Sequence, residues 1–361
     1  MVNPSSQFWQ GKTVLLTGHT GFKGAWLQLW LEQLGAKVHG LALAPETTPN
    51  LSKLVGSADG PHSTIADIRD ATRLAEVMTQ VQPDVVLHLA AQALVRASYQ
   101  DPIASFSTNV LGTLHLLEAA SRCRSVRAVV VITTDKCYEN REWLWPYREN
   151  EALGGHDPYS ASKACAEIAT AAWRASLPDM AQSDRTGAPL HIATARAGNV
   201  FGGGDWADDR LVPDFFRALQ ANEQLAIRNP AARRPWQHVL EPLSGYLLLA
   251  ERLWQGNAAE AWNFGPAQED VQPVSYLVER LFAADGRGRT WEQTAGHQPH
   301  EAHLLALDSS KARARLGWKP RLRLGEALDW THDWFTRHHA GADARNLTLE
   351  QIARFSAMAG E

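Results

Sequence analysis

The chain has 361 residues, 45% of them hydrophobic and 20% charged, enough to bury a large core and to divide it between two domains. A formal net charge of −4 gives no general attraction to nucleic acid or to an anionic membrane, so any phosphate must be held locally. The three cysteines, Cys123, Cys137 and Cys165, are too scattered for a disulfide framework or metal-ligand spacing. No run reaches the ~20 apolar residues of a membrane span and the start, "MVNPSSQFWQGK", lacks a signal-peptide layout, so a cytoplasmic protein without a metal is expected.

The first apolar run, "TVLLTG", leads into "TGHTGFKG", which places Gly18, Gly21 and Gly24 between a strand and the helix "AWLQLWLEQLG". Glycines there let the backbone approach a pyrophosphate while the helix start offers free N–H groups; the alternative is a tight turn and nothing more. Trp26, Leu27, Trp30, Leu31 and Leu34 recur at helical spacing, and Gly35 is placed to end the helix. The spacing is GxxGxxG rather than GxGxxG. At the end of the second strand, "KVHGLAL", the stretch "LALAPETT" is read as bringing neither an acid to a ribose nor an arginine to a 2′-phosphate, which favours NAD over NADP. Asp67, ending the third strand "STIADI", either faces an adenine or caps the following helix "ATRLAEV".

The fourth and fifth strands, "VVLHLA" and "AVVVITT", flank the amphipathic helix "NVLGTLHLLEAASR". The fifth runs into Asp135 and Lys136 before any turn signal. Neighbours on a strand point to opposite faces, so both can serve one site only if the extended chain has already begun to break. "DPYSASKACAEI" then sets Tyr159 one helical turn before Lys163, on one face. A tyrosine of pKa about 10 acts as a base near neutrality only if a cation lowers it, and Lys163 is positioned to do so; the plain alternative is an ordinary helix pair.

After the sixth strand, "HIATARA", the strand and helix rhythm fails near Gly198. "RAGNVFGGGDWADDR" carries Asn199, Asp205 and Arg210 in a loop able to wrap a polar ligand. "RNPAARRPWQH" carries Arg228, Arg233 and Arg234 with Trp236, either a phosphate site or a solvated basic surface. "LEPLSGYLLLAERLW" and "AWNFGP" look like one more helix and strand returning to the sheet, and a helical tail runs from Ser309 to His338. The pattern predicts an α/β fold: a Rossmann-like doubly wound parallel sheet with a smaller, discontinuous α/β substrate domain. Residues 1–197 and about 239–265 form the first unit, and about 198–238 and 266–361 the second.

"TGHTGFKG", "HLAAQ", "NVLGT", "TTDK" and "YSASK" together resemble the extended short-chain dehydrogenase/reductases that act on nucleotide sugars. "TTDKCYEN", "AGNVFGGGDW", "RPWQHVLEPLSGY" and "KARARLGWKP" narrow that likeness to the CDP-linked branch of the 4,6-dehydratases. The resemblance implies a cofactor, NAD, bound by Gly18, Thr20, Gly21, Phe22, Gly24, Asp67, Ile68, Leu89, Ala90, Ala91, Asn109, Tyr159 and Lys163. It implies CDP-glucose as partner, held by Gln92, Arg96, Asn199, Asp205, Arg210, Arg234 and His238. Thr134, Tyr159 and Lys163 would serve hydride transfer, and Asp135 and Lys136 elimination. Lys136 stands where the deoxythymidine-linked relatives carry glutamate, so its role, C5 base or enolate stabiliser, stays open. A UDP- or deoxythymidine-linked dehydratase, a 4-epimerase and a dinucleotide-sensing binding protein are the rival readings. The resemblance further implies a homodimer, or a homotetramer, paired through "NVLGTLHLLEAA" and "YSASKACAEIATAAW".

Overall fold

The six apolar runs fold as β1 (Thr13–Thr17), β2 (Lys37–Ala42), β3 (Ser63–Ile65), β4 (Val85–His88), β5 (Ala128–Ile132) and β6 (His191–Ala197), and "AWNF" returns as β7 (Ala261–Phe264). The computed structural model describes residues 2–180, 189–294 and 303–358. All neighbouring strands run parallel in the order β7-β6-β5-β4-β1-β2-β3. The chain therefore winds outward from β1 to β3, crosses back, and winds the other way from β4. Loops leaving β1 and β4 diverge at that switch point and leave a crevice at the carboxyl ends of the strands.

Both sheet faces are covered over the central strands, which is why β1, β4 and β5 are buried nearly throughout. Val14, Leu16, Val130 and Ile132 pack with α1 (Phe22–Gln33), while their neighbours Leu15, Val129 and Val131 pack on the opposite side with α2 (Ala71–Val81) and α3 (Gly112–Arg122). The long α4 (Pro158–Met180) carries the YxxxK pair and also lies on the α3 side, with Leu177 in that second cluster. On the α1 side, α5 (Leu240–Trp254) is buried nearly all round. Six of the 14 tryptophans are core residues: Trp9, Trp26, Trp30, Trp262, Trp318 and Trp334 are among the largest fully buried side chains.

Beyond β6 the chain forms short pairs, Val200–Phe201 with Gln237–His238, Arg233–Pro235 with Val271–Pro273, and Leu225–Ile227 with Trp291–Gln293. The expected helical tail is present and consists of separate helices. Ser310–Leu316 stops at Gly317, whose φ of 69° is left-handed, and Leu324–His339 and Ala344–Ala357 follow. The last of these helices lies on α1, with Phe355 edge-on to Trp30 at 5.8 Å and Arg345 bridged to Glu32. Among the described residues, no helix is long and apolar enough to cross a membrane.

Candidate active site

A cleft of about 820 Å³ opens at the carboxyl ends of the strands. Its floor is the glycine loop, where close approach requires glycine. A Cβ on Gly18, itself at φ 76°, would stand 2.7 Å from the Ala90 nitrogen, and one on Gly24 would stand 2.1 Å from the Gly18 carbonyl. Gly21 caps α1 with no side chain, so the first-turn N–H groups remain open to an anion. These are features of a dinucleotide-phosphate cradle, and Thr20, Phe22, Leu89, Ala90 and Ala91 line it too.

At the far end Leu43, Glu46, Asn50, Asp67, Ile68 and Arg69 line the cleft. Two expectations change here. "LALAPETT" does bring an acid, Glu46, because the chain turns back over the cleft after β2. A cation, Arg69, also reaches this end, but Asp67 occupies its guanidinium through Nε at 2.9 Å and Nη2 at 2.6 Å. That pair removes Asp67 from helix capping, and Asp70 caps α2 instead, accepting from the Arg73 N–H.

At the centre, the strand does break where the sequence demands it. β5 ends at Ile132 and a 3₁₀ turn, Asp135–Cys137, begins, capped by Thr134, whose hydroxyl accepts from the Lys136 N–H at 3.4 Å. Asp135 and Lys136 therefore share the cleft with Thr134, Tyr159 and Lys163. Asp135 is buried, with Oδ1 bonded to the Thr134 hydroxyl at 3.0 Å and Oδ2 without a hydrogen-bond partner. Burial raises its pKa, opposed by Lys136 and then by the Thr134 bond and Arg234. The Lys136 ammonium is half-buried and pairs with no acid among the described residues.

Tyr159 is pushed up to about 12 by burial, with the Thr134 hydrogen bond the largest influence drawing it down and Arg210 a lesser one. Lys163 Nζ reaches back to the Ile132 carbonyl at 3.3 Å, and burial lowers its own pKa to about 8 while Glu167 resists that shift. Glu167, one turn further along α4, is a residue the sequence reading missed. Burial works against its charge, but the Arg196 guanidinium and hydrogen bonds from Arg196, Thr133 and Thr194 outweigh it and hold the carboxyl below its usual range. A YxxxKxxxE spacing on one helix face is the signal that could have found it.

Of the expected substrate residues, Gln92, Arg96, Asn199, Asp205, Arg210 and Arg234 line the cleft, as do Arg228 and Trp236. Arg96 bridges to Asp209 at 2.8 Å across the mouth, and Arg210 to buried Asp205 at 3.0 Å. The Gln92 amide is spent on the Leu94 backbone, so it shapes the loop. Arg233 turns away to the Val271 carbonyl. Two expected residues stand outside the cleft. His238 is fully buried among Trp26, Phe201 and Trp330, because its strand pairs with Val200–Phe201 beneath the wall. Asn109, in a π-helical turn, clamps the Gln92 backbone and Ser162 rather than facing the cleft. Lys23, on the first turn of α1, lines the cleft unforeseen. Among the described residues no cluster could hold a metal ion.

A parallel sheet with a phosphate cradle at its switch point, facing a buried acid, a tyrosine and lysines, defines a dinucleotide-dependent enzyme fold of the Rossmann class. Residues 15–331 match the family described as GDP-mannose 4,6 dehydratase, and the chain belongs to that family. It is 51% identical over 350 residues to the CDP-glucose 4,6-dehydratase of Salmonella typhimurium, covering 96% of this chain and 97% of that protein. It is 28% identical over 342 residues to a dTDP-glucose 4,6-dehydratase of Xanthomonas campestris, covering 90% and 93%. Among solved structures, the UDP-glucose 4-epimerase of Thermotoga maritima with UDP-glucose superposes at a TM-score of 0.78 with 23% identity, covering 91% of this chain and 99% of that one. The dTDP-glucose 4,6-dehydratase of Bacillus anthracis in complex with NAD gives 0.75 with 21% identity, covering 91% and 98%. These two likenesses concern the fold.

Proposed function

We propose that the protein is an NAD-dependent CDP-glucose 4,6-dehydratase, converting CDP-glucose to CDP-4-keto-6-deoxyglucose and water. The observation that carries this reading is the convergence of a buried carboxyl of raised pKa, Asp135, and its neighbour Lys136 on the cleft that holds Tyr159. A 4-epimerase needs only the redox set; the added acid and cation serve loss of water. The 51% identity to the Salmonella protein supports the cytidine-linked sugar.

NAD, when bound, supplies a hydride acceptor for C4 and returns the hydride at C6. The glycine loop and the open N–H groups of α1 would hold its diphosphate, and the Asp67 to Arg69 pair would close the adenosine end. Tyr159 takes the 4-hydroxyl proton. Its burial makes the phenolate costly, and the Thr134 hydroxyl offsets part of that cost by hydrogen bonding. With Asp135 in its acid form, that carboxyl can donate to Thr134 Oγ, freeing the Thr134 proton for Tyr159. The ketone at C4 acidifies the C5 hydrogen; Lys136, reacting as the free amine, takes that proton and as the resulting ammonium steadies the enolate, and Asp135 gives its proton to the departing 6-hydroxyl, which leaves as water. Arg228 and Arg234 are set to meet the sugar diphosphate, with Trp236 beside them.

Residues 198–238 and 266 onward would form the nucleotide-sugar lobe. A homodimer would cover the exposed Ile103, Leu111 and Ile168, which are 76%, 51% and 55% accessible on the α3 and α4 side. The expected location is the cytoplasm. Incubation with CDP-, UDP- and dTDP-glucose, followed by product analysis, tests the assignment. A 6-deoxy ketosugar from the CDP substrate supports it, whereas an epimer keeping its 6-hydroxyl, or preference for another nucleotide, sinks it.

A further inference from the structure

Lys23 occupies a place the proposed reaction does not use. It is the second residue of α1, between the cradle glycines, a half-buried residue that lines the cleft. Nζ donates to the Tyr246 hydroxyl on α5 at 3.1 Å and stands 5.3 Å from that ring's centre. No carboxylate among the described residues pairs with it. The charges that reach it are Arg210 from the loop before Leu211–Ala221, Lys163 from α4 and Asp135 after β5. These lie at the hydride-transfer end of the cleft, away from Asp67 and Arg69. The buried Tyr246 phenol feels Tyr159 and Asp135, which puts the Lys23 anchor at that end too.

We propose that Lys23 is a charge-selecting residue of the redox step, whose ammonium, anchored on Tyr246, makes the chamber prefer the uncharged reduced nicotinamide over the cationic oxidised ring. The inference rests on the dinucleotide reading above. A cation near the ring repels the oxidised form and leaves the reduced form untouched, so it favours removal of hydride from C4 and retention of the reduced cofactor until C6 is ready. Burial lowers the Lys23 pKa to about 7, with Arg210 and Lys163 adding to the shift and Asp135 opposing it. The preference is therefore greatest below neutrality and fades as Lys23 loses its proton.

The test is separate titration of the wild type, Lys23→Met, Lys23→Arg and Tyr246→Phe with NAD⁺ and with NADH between pH 6 and 9, read by quenching of tryptophan fluorescence. Lys23→Met should raise NAD⁺ affinity relative to NADH roughly tenfold, the scale of two charges several ångströms apart in a partly buried site. Lys23→Arg should match the wild-type ratio at pH 6 and hold it up to pH 9, where the wild type loses it, and Tyr246→Phe should fall between wild type and Lys23→Met at pH 6. Wild-type NAD⁺ affinity should rise with pH through neutrality and lose that rise in Lys23→Met, a difference that removes the contribution of Lys163. Equal weakening of both ligands, as from a lost phosphate contact, overturns the proposal, as does an unchanged ratio. Failure of the wild type to bind either form refutes the dinucleotide reading instead.

Discussion

Replacing Glu167 with glutamine should cost this protein far more than an isosteric change usually does. The carboxylate is 2% exposed and accepts from Thr133 Oγ1 at 2.5 Å, Thr194 Oγ1 at 2.7 Å and Arg196 Nη2 at 2.8 Å, while Arg196 itself is 3% exposed and also donates to the Tyr138 hydroxyl. Glutamine fills the same space but turns an NH₂ group towards these donors and leaves Arg196 as a buried, unpaired cation. Breaking a buried ion pair from one side costs about 3–5 kcal/mol, a large share of the ~5–15 kcal/mol that a domain possesses. Urea unfolding at pH 7 should show that loss, and the Glu167→Leu/Arg196→Met double variant should recover most of it, because neither charge is then stranded. The carboxyl is held below its ordinary 4.5, so the pair's contribution is present above that pH and is lost as pH falls through the lower folded value. Lys163 supplies a second readout. Glu167 is the main influence keeping its ammonium protonated against burial, so the high-pH limb of activity, expected near 8, should move to lower pH in Glu167→Gln. A loss below about 1 kcal/mol, or a double variant no more stable than the single one, would refute the reasoning.

Asp135→Asn should leave stability within about 1 kcal/mol, since burial already works against the charged carboxylate and the amide keeps its shape, yet slow elimination ~10²–10⁴-fold. Bound reduced nicotinamide should accumulate in its absorbance band when CDP-glucose is added; ordinary turnover would remove Asp135 as the acid. Gly24→Ala drives a Cβ to within 2.1 Å of the Gly18 carbonyl, so calorimetry should record loss of dinucleotide binding, and retained affinity would show the cradle is elsewhere. His238 has its pKa lowered to about 3 by burial: the folded form stays neutral while the unfolded form gains a proton below about 6.5, so stability falls on acidification. His238→Phe, seated among Trp26, Phe201 and Trp330, should flatten that slope by up to about 1.4 kcal/mol per pH unit in urea unfolding at pH 6.5 and 5.5, with turnover kept. An unchanged slope, or lost turnover, would contradict its place behind the cleft wall.

The seven strands, their parallel pairing and the glycine turn were legible in the sequence because each depends on local pattern: apolar runs covered on both faces, helical periodicity between them, and a turn that only glycine fits. The break after β5 was legible only as a condition: the neighbours Asp135 and Lys136 could share one site only if the strand had already ended, and the alternative was a strand leaving the core for water. What no local pattern carries is which side chains meet across the sheet. Lys163 reaches the Ile132 carbonyl, 31 residues back, and His238 disappears behind the wall among Trp26, Phe201 and Trp330, each through contacts with chain that is folded back from elsewhere. Glu167 and Arg196, distant in sequence, become one buried pair only when β6 lies beside β5 under α4. The sequence determined the elements and the kind of chemistry available; the tertiary structure decided how Asp135, Tyr159 and Lys163 are shifted, because the burial and neighbouring groups that shift them exist only once the chain is packed.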